Sequence, residues 1–227
     1  MPLSVIIPAL NEATGIESLL LHLRPWQMRG VQIIVVDGSS NDRTAQLAAC
    51  HADTVINSPP GRALQMNAGA SAARGDTLFF LHADCIPPAD ADRQIVSALA
   101  PNERCWGRFD VRIAGHDRLL PIVGKLMNWR SRLTGIATGD QGLFMTRRAF
   151  ATAGGFAAIP LMEDIAMSRT LKRLSRPVCL RGMITSGRRW EQQGALRTVA
   201  LMWRLRAAYF FGTDPAKLAV RYHGRED

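Results

Sequence analysis

The chain has 227 residues, of which 47% are hydrophobic and 21% are charged. These proportions are those of an ordinary globular protein, and they exclude disordered, collagen-like and low-complexity chains. The formal net charge is +9 but is unevenly spread: residues 1–164 hold 15 basic and 15 acidic side chains, whereas residues 165–227 hold 13 and 4. This asymmetry indicates a neutral body with a basic C-terminal face.

The first 85 residues alternate apolar runs with segments of helical periodicity. Runs that are apolar throughout are typical of strands buried on both faces, and their alternation with helices indicates a parallel sheet. Ser39 and Asp42 fit a capping box at the start of the second helix. Strands are predicted at residues 3–7, 31–36, 54–56 and 77–81, with helices at 16–23, 39–48 and 61–73.

The pattern changes in the second half of the chain. Residues 106–113 alternate in part, which indicates an antiparallel or mixed strand. The last predicted helix mixes arginines with large aromatic residues. Further strands are predicted at 142–145 and 178–184, with helices at 119–133, 163–174 and 196–211.

The spacing of the cysteines and the N-terminal sequence indicate in which cellular compartment the protein is expected. The four cysteines are widely spaced and include no C-x-x-C pair, so we expect reduced thiols rather than disulfides or a zinc site. The N-terminus lacks the basic region of a signal peptide, and no apolar run approaches the ~18 residues of a membrane-spanning helix. We therefore expect a cytoplasmic protein.

Polar residues follow three of the predicted strands: Asn11-Glu12, Asp37, and His82 with Asp84. Ligands of parallel sheets bind beyond the carboxyl ends of the strands, so these groups should share one edge. Asp84 could hold Mg²⁺ or Mn²⁺, or could be a turn aspartate before two prolines. Asp37 could accept hydrogen bonds from a ribose or base, or could belong to an Asp-Gly turn.

Two clusters in the C-terminal half also suggest chemistry. Glu163-Asp164 precede a basic helix, where a carboxylate could act as a general base or could complement the helix dipole. Arg188-Arg189-Trp190 could grip a diphosphate and stack on a ring, or could be a solvated surface cluster. Arg62, near a predicted helix start, is a further diphosphate candidate.

Taken together, these residues resemble the family 2 inverting glycosyltransferases with the GT-A fold, over nearly all of residues 3–190. In particular, the chain is similar to the short, soluble selenodomain-associated transferases. The resemblance rests on five segments in the right order: residues 5–12 (nucleotide loop), 33–44 (second signature), 79–84 (position of the D-x-D metal motif), 139–142 with 163–164 (acceptor motifs), and 189–190 (the end of Q-x-x-R-W).

The resemblance implies a single α/β domain of GT-A type with a mixed central sheet. It would span residues 1–190, with a nucleotide-binding half at 1–100 and an acceptor half at 101–190, and a basic amphipathic helical segment would follow at 191–227. The implied roles are catalysis by Asp164 as base, beside Glu163; nucleotide binding by Pro8, Glu12, Asp37, Arg62, His82 and Ala83; metal binding by Asp84; and acceptor or diphosphate contact by Asp140, Gln141, Arg188, Arg189 and Trp190.

The implied reaction is transfer of a sugar from a nucleotide-diphosphate sugar to an acceptor hydroxyl, with Mn²⁺ or Mg²⁺ and inversion at the anomeric carbon. The basic, aromatic C-terminal segment adds two expectations: a lipid-linked acceptor, and peripheral contact with an anionic membrane on its inner face. Nucleic acid is not expected as a partner, because the first 164 residues are neutral.

The chain departs from the family pattern at three positions. His82 stands at the first position of D-x-D, Met66 replaces the arginine that precedes Asn67 in many relatives, and Ser186 replaces the glutamine of Q-x-x-R-W. The last departure argues against processive polymer export. Two alternatives remain: a sugar-nucleotidyltransferase, which should carry a Gly-rich basic loop after its first strand, and a basic nucleic-acid-binding module.

Overall fold

Every residue of the first strand, Leu3–Ala9, is buried, because helices cover both faces of the sheet to which it belongs. The protein is described by a computed structural model that covers residues 2–100 and 103–223. Its strands are β1 Leu3–Ala9, β2 Gln32–Asp37, β3 Thr54–Asn57, β4 Thr77–Phe80, β5 Cys85–Ile86, β6 Trp106–Ala114, β7 Leu143–Thr146 and β8 Val178–Ser186.

The strands form one mixed sheet in the order β3-β2-β1-β4-β7-β6-β8-β5. Strands β1 to β4 pair in parallel, whereas β7 runs antiparallel to both β4 and β6. The predicted mixed α/β architecture is confirmed. The helices are α1 Ile16–Gln27, α2 Thr44–Ala49, α3 Arg62–Ala72, α4 Ala91–Leu99, α5 Leu120–Thr134, α6 Arg147–Ala153, α7 Glu163–Leu171, α8 Arg188–Gln193, α9 Ala195–Phe210 and α10 Pro215–His223.

Two apolar cores flank the sheet. Val5 and Ile7 of β1 pack into the core that contains Trp26 of α1, whereas Ile6 packs into the opposite core with Met66 of α3. Successive side chains of a strand point to opposite faces, so a strand buried on both faces is a nearly continuous apolar run. This rule explains why the continuous apolar runs predict the strands so closely.

The start of α2 differs from the prediction. The helix begins at Thr44 and not at Ser39, and Asp42 accepts hydrogen bonds from the backbone amide and hydroxyl of Thr44. Ser40 donates through its amide and its hydroxyl to Asp37. Side chains of residues 37–42 therefore stabilise a loop where the capping-box pattern predicts the first turn of a helix.

The C-terminal helices pack on the rest of the domain. Leu205 of α9 and Leu218 of α10 are buried against Met162 and Ile165, beside the start of α7. Val199 of α9 packs on the cluster around Leu120 of α5. No helix within residues 2–100 and 103–223 has the length and apolarity needed to cross a membrane.

Candidate active site

The loops after β1 and β2 are joined by hydrogen bonds at the carboxyl edge of the sheet. The amide of Asn11 donates to Oγ of Ser40 at 2.9 Å, and the amide of Asn41 donates to Oδ1 of Asn11 at 2.9 Å. Asn11 and Ser39 both adopt left-handed backbone conformations, with φ of 56° and 69°. Such conformations are uncommon outside glycine and are concentrated at functional sites.

A cavity of about 580 Å³, which we call the large cavity, opens beside these loops. This volume is in the range of small-molecule sites. The ends of β1 and β4, the start of α3 and the loop before α7 form its walls. Its lining includes six of the residues predicted from the sequence: Pro8, Glu12, Arg62, His82, Ala83 and Asp84.

A second cavity of about 150 Å³, the small cavity, adjoins the first. Arg62, His82 and Asp84 line both, so the two cavities meet at these side chains. The predicted residues Asp140, Glu163, Asp164 and Trp190 line the small cavity. Helices α9 and α10 form a further part of its wall, through Thr198, Met202, Leu205, Arg206 and Tyr222.

His82, Asp84 and Asp140 could hold a divalent cation. Their ligand atoms all lie within 4.8 Å of one another, and Nδ1 of His82 lies 3.8 Å from Oδ1 of Asp140. Burial raises the pKa of Asp140, but its interactions with His82, Arg62 and Arg206 together outweigh burial and hold the pKa of that carboxyl below its usual value. Two carboxylates and one imidazole suit Mn²⁺ or Mg²⁺, so the donor set fits the predicted metal.

Gly139 connects this cluster to Asp164. Its amide donates to Oδ2 of Asp164 at 2.8 Å. A Cβ at position 139 would collide with the imidazole ring of His82. The close approach of the ring therefore requires glycine here, and one residue fixes the relative positions of the imidazole and the carboxylate.

Helix α7 begins with Glu163 and Asp164, directly after a residue whose backbone conformation is strained. Met162 has a φ of 72°. This left-handed backbone conformation is energetically unfavourable for a residue other than glycine. Glu163 is only 4% exposed. Burial raises the pKa of Glu163, the neighbouring charge of Asp164 raises it further, and the charge of Arg62 offsets part of the shift.

Three predicted residues lie at the site but do not line either cavity. Asp37 is buried and accepts hydrogen bonds from Ser40. Gln141 is fully buried, and its Oε1 accepts a hydrogen bond of 3.2 Å from the amide of Thr138. Arg188 donates to Oε2 of Glu12 at 3.2 Å, which ties α8 to the first loop. The side chain of Arg189 lies outside the described residues.

Glu12 lines the large cavity with a perturbed carboxyl. Burial raises its pKa, the hydrogen bond from Arg188 lowers it in part, and the charge of Asp84 raises it again. The carboxylates of Glu12 and Asp84 thus repel each other across the cavity, which favours a bound cation between the strand ends.

Sequence reasoning missed three residues of this region. Gln65 of α3 donates from Nε2 to the carbonyl oxygens of Ala9 and Val36, both at 2.8 Å, and lines the large cavity. Arg206 lines the small cavity, and Arg130 lies near enough for its pKa to respond to the charges of Arg206 and Asp164. The only sequence signal for the two arginines was their place among apolar residues of amphipathic helices.

Residues 4–153 match the model of the Glycosyl transferase family 2. Because this match covers most of the chain, the protein belongs to that family of glycosyltransferases. The family assignment confirms the predicted class over the nucleotidyltransferase and the nucleic-acid-binding module.

Relatives of known sequence agree with this assignment. An uncharacterized glycosyltransferase of Mycobacterium tuberculosis is 36% identical over 125 residues, which are 51% of this chain and 48% of that protein. An undecaprenyl-phosphate 4-deoxy-4-formamido-L-arabinose transferase of Pseudomonas aeruginosa is 29% identical over 161 residues, 63% of this chain and 45% of that protein. The chain thus spans about half the length of the curated relatives it matches.

Solved glycosyltransferase structures share the fold. TarS of S. aureus in complex with UDP superposes with a TM-score of 0.65 at 15% identity, covering 82% of this chain and 60% of TarS. The mannosyltransferase PcManGT of Pyrobaculum calidifontis, in complex with GDP-Man and Mn²⁺, gives 0.64 at 20% identity, covering 91% and 60%. These likenesses confirm the predicted GT-A fold.

Proposed function

We propose that the protein transfers a sugar from a nucleotide-diphosphate sugar to an acceptor hydroxyl, with inversion, in a single displacement with Asp164 as base. The observation that carries this proposal is the meeting of the two cavities at Arg62, His82 and Asp84. A donor in the large cavity would place its diphosphate at this junction. Its sugar would then face Asp164 across the small cavity, where an acceptor enters.

The metal site supports the same placement. His82, Asp84 and Asp140 would hold Mn²⁺ or Mg²⁺, which would neutralise the charge that develops on the leaving diphosphate. The cation of Arg62, at the junction of the cavities, adds positive charge beside the same group. Two of the structural neighbours are complexes that contain Mn²⁺ together with GDP-Man or UDP, which supports a nucleotide donor with a divalent cation.

Asp164 has the geometry of a base. Each of its carboxylate oxygens accepts one backbone amide, from Gly139 at 2.8 Å and from Ile165 at 2.7 Å. A carboxylate oxygen has a further lone pair, so each can still accept the proton of an acceptor hydroxyl. Proton removal makes the hydroxyl oxygen a stronger nucleophile for attack on the anomeric carbon, opposite the departing diphosphate.

A lipid-linked acceptor and a membrane-facing surface are part of the proposal. Val199 of α9 packs on the cluster around Leu120 of α5, so the two helices are neighbours. The membrane-facing surface consists of the exposed apolar residues Ile122, Leu126, Trp129, Leu133, Leu196, Trp203, Phe210 and Phe211, with Lys125, Arg132, Arg197 and Arg204.

This combination suits an anionic membrane, where apolar side chains insert between headgroups and cations contact lipid phosphates. The undecaprenyl-phosphate transferase among the relatives supports an acceptor of lipid type. We therefore propose peripheral attachment to the inner face of the cytoplasmic membrane. Arg206 and Tyr209 also belong to α9, but their side chains point inward and are not part of the membrane-facing surface.

A thermal-shift screen of nucleotide sugars with Mn²⁺, followed by analysis of the product anomer, tests the proposed function. A ligand that binds only the folded state raises the melting temperature. The proposal predicts a shift with at least one nucleotide sugar and a product of inverted configuration. No shift across the uridine and guanosine sugars, or retention of configuration, would contradict it.

A further inference from the structure

Arg130 of α5 carries a largely buried charge that forms no ion pair with the described residues. Its Nε and Nη2 atoms are inaccessible to solvent and form no hydrogen bond within residues 2–100 and 103–223. The pKa of Arg130 is lowered to about 10, chiefly by burial and in addition by the charge of Arg206, while the charge of Asp164 offsets part of the shift. A guanidinium remains charged even so, and an unpaired buried charge is costly.

Arg206 of α9 is in a similar situation. It lines the small cavity together with Asp164, and burial lowers its pKa despite the nearby charges of Asp164 and Asp140. Neither Arg130 nor Arg206 belongs to any of the ion pairs formed among the described residues. Arg206 in the wall of the small cavity and Arg130 nearby are thus two mutually repelling cations that form no ion pair among the described residues, although the charge of Asp164 acts on both.

Two other inward-facing arginines have carbonyl or carboxylate partners for most of their donors, although Nε of Arg108 has none among the described residues. Arg108 is 1% exposed, and it pairs with Asp110 and donates to the carbonyl oxygens of Phe109 and Asn128. Arg147 donates to the carbonyl oxygens of Ala73 and Gly75. Partners are therefore supplied where an arginine is structural, which makes the unmatched pair beside Asp164 a candidate for ligand binding.

We infer that Arg130 and Arg206 form an anion subsite that takes a phosphate group of the acceptor, on the far side of Asp164 from the donor. This inference rests on the proposed function and names its acceptor class. Guanidinium groups bind phosphate oxygens through paired hydrogen bonds, and a phosphate supplies the charge that the pair lacks. Holding that phosphate would fix a neighbouring acceptor hydroxyl near the carboxylate of Asp164.

The test uses inorganic phosphate as the probe, at constant ionic strength, with melting temperature as the readout. The compared proteins are the wild type, Arg130→Gln, Arg206→Gln and the control Arg169→Gln, which removes an exposed charge from α7. Both test variants should fold, because each removes a charge with no partner among the described side chains. Without phosphate, their melting temperatures should equal or exceed that of the wild type.

Phosphate should raise the melting temperature of the wild type and of Arg169→Gln in a saturable manner, and the shift should be lost in Arg130→Gln and Arg206→Gln. Absence of a shift in the wild type, or an equal shift in all four proteins, would overturn the inference. Glycerol 3-phosphate and short-chain phosphatidic acid then separate a soluble acceptor from a lipid. A larger shift with either supports the subsite, and no shift with either overturns it.

A second phosphate titration distinguishes this subsite from the site that binds the donor diphosphate. Phosphate is titrated again with Mn²⁺ and a saturating nucleoside diphosphate chosen from the screen. The phosphate shift should persist and add to that of the nucleotide, whereas its loss would assign the arginines to the donor and overturn the inference. Failure of every nucleotide to bind would count against the proposed function alone, because the phosphate titration needs no nucleotide.

Discussion

Gly139 donates its backbone amide to Oδ2 of Asp164 at 2.8 Å, while its bare Cα faces the ring of His82. One residue without a side chain thus joins the candidate base to the candidate metal site. In the proposed reaction, the distance between these two groups has to match the distance from the acceptor hydroxyl to the donor diphosphate. We therefore expect this turn to be sensitive to substitution.

Replacing Asp164 with asparagine should separate binding from chemistry. Asn keeps the shape of the side chain but cannot accept a proton, so turnover should fall by about 10²- to 10⁴-fold while donor affinity stays near that of the wild type. Donor affinity is measured by calorimetry and turnover by release of the nucleoside diphosphate. Wild-type turnover in Asp164→Asn would show that Asp164 is not the base, and Glu163 and Asp140 would be tested next.

Replacing Gly139 with alanine should displace the ring of His82. The added methyl group would overlap the imidazole, and overpacking of this kind costs about 1–3 kcal/mol. Both the free energy of unfolding and the affinity for Mn²⁺ should fall. Gly15→Ala is the matched control, since a Cβ at position 15 meets no atom within 4 Å. Equal stability and equal Mn²⁺ affinity in the two variants would contradict the proposed geometry.

Glu163 should make stability depend on pH. Because its pKa in the folded state lies above the ordinary value of 4.5, the folded protein holds this proton where the unfolded chain has lost it. Stability contributed by this group therefore falls as pH rises from 4.5 through the raised pKa, and the loss is complete above it.

Glu163→Gln cannot ionise, so it should melt at a higher temperature than the wild type at about pH 8 and show a smaller gain at about pH 4. Thermal unfolding at the two pH values measures this difference. Glu103→Gln, at an exposed position, serves as the control and should show neither gain. An equal difference between Glu163→Gln and the wild type at both pH values would show that the buried carboxyl is not the cause.

The membrane-facing surface predicts flotation with anionic vesicles. Trp129 is 63% exposed and Trp203 is 68% exposed, and both lie among basic side chains. The wild type should float with vesicles that contain phosphatidylglycerol and not with neutral ones, and the double change Trp129→Ser with Trp203→Ser should abolish flotation. Met28→Ser, which changes an exposed side chain at the end of α1, should float normally. No preference of the wild type for anionic lipid would remove this surface from the account.

The N-terminal half of the chain is the part of the fold that sequence predicts best. Strands β1, β2 and β4 are nearly continuous apolar runs because both faces are buried, and polar residues stand at or just beyond the carboxyl end of each. Pro8, Glu12, His82 and Asp84 are brought together for this reason alone. The two-residue strand β5 and the late start of α2 carry no such signal, since pairing and loop side chains determine them.

The acceptor side depends on contacts between residues far apart in the chain. Arg188 meets Glu12, 176 positions away, and Asp140 meets His82 only because Gly139 allows the ring to approach. Amphipathic periodicity predicts that α9 is a basic helix, yet it does not show that Arg206 faces inward. That orientation follows from the packing of Leu205 on the start of α7, which no local pattern encodes.

A nucleoside diphosphate should bind through a divalent cation at Asp84, where the two cavities meet. Calorimetric titration of UDP and GDP, with and without Mn²⁺, tests this binding mode in the wild type, in Asp84→Asn and in the exposed control Asp76→Asn. Mn²⁺ should tighten binding of one nucleotide by about tenfold or more in the wild type and in Asp76→Asn, and should leave the affinity of Asp84→Asn unchanged. Equal affinity of the wild type with and without Mn²⁺, or a full gain in Asp84→Asn, would contradict it.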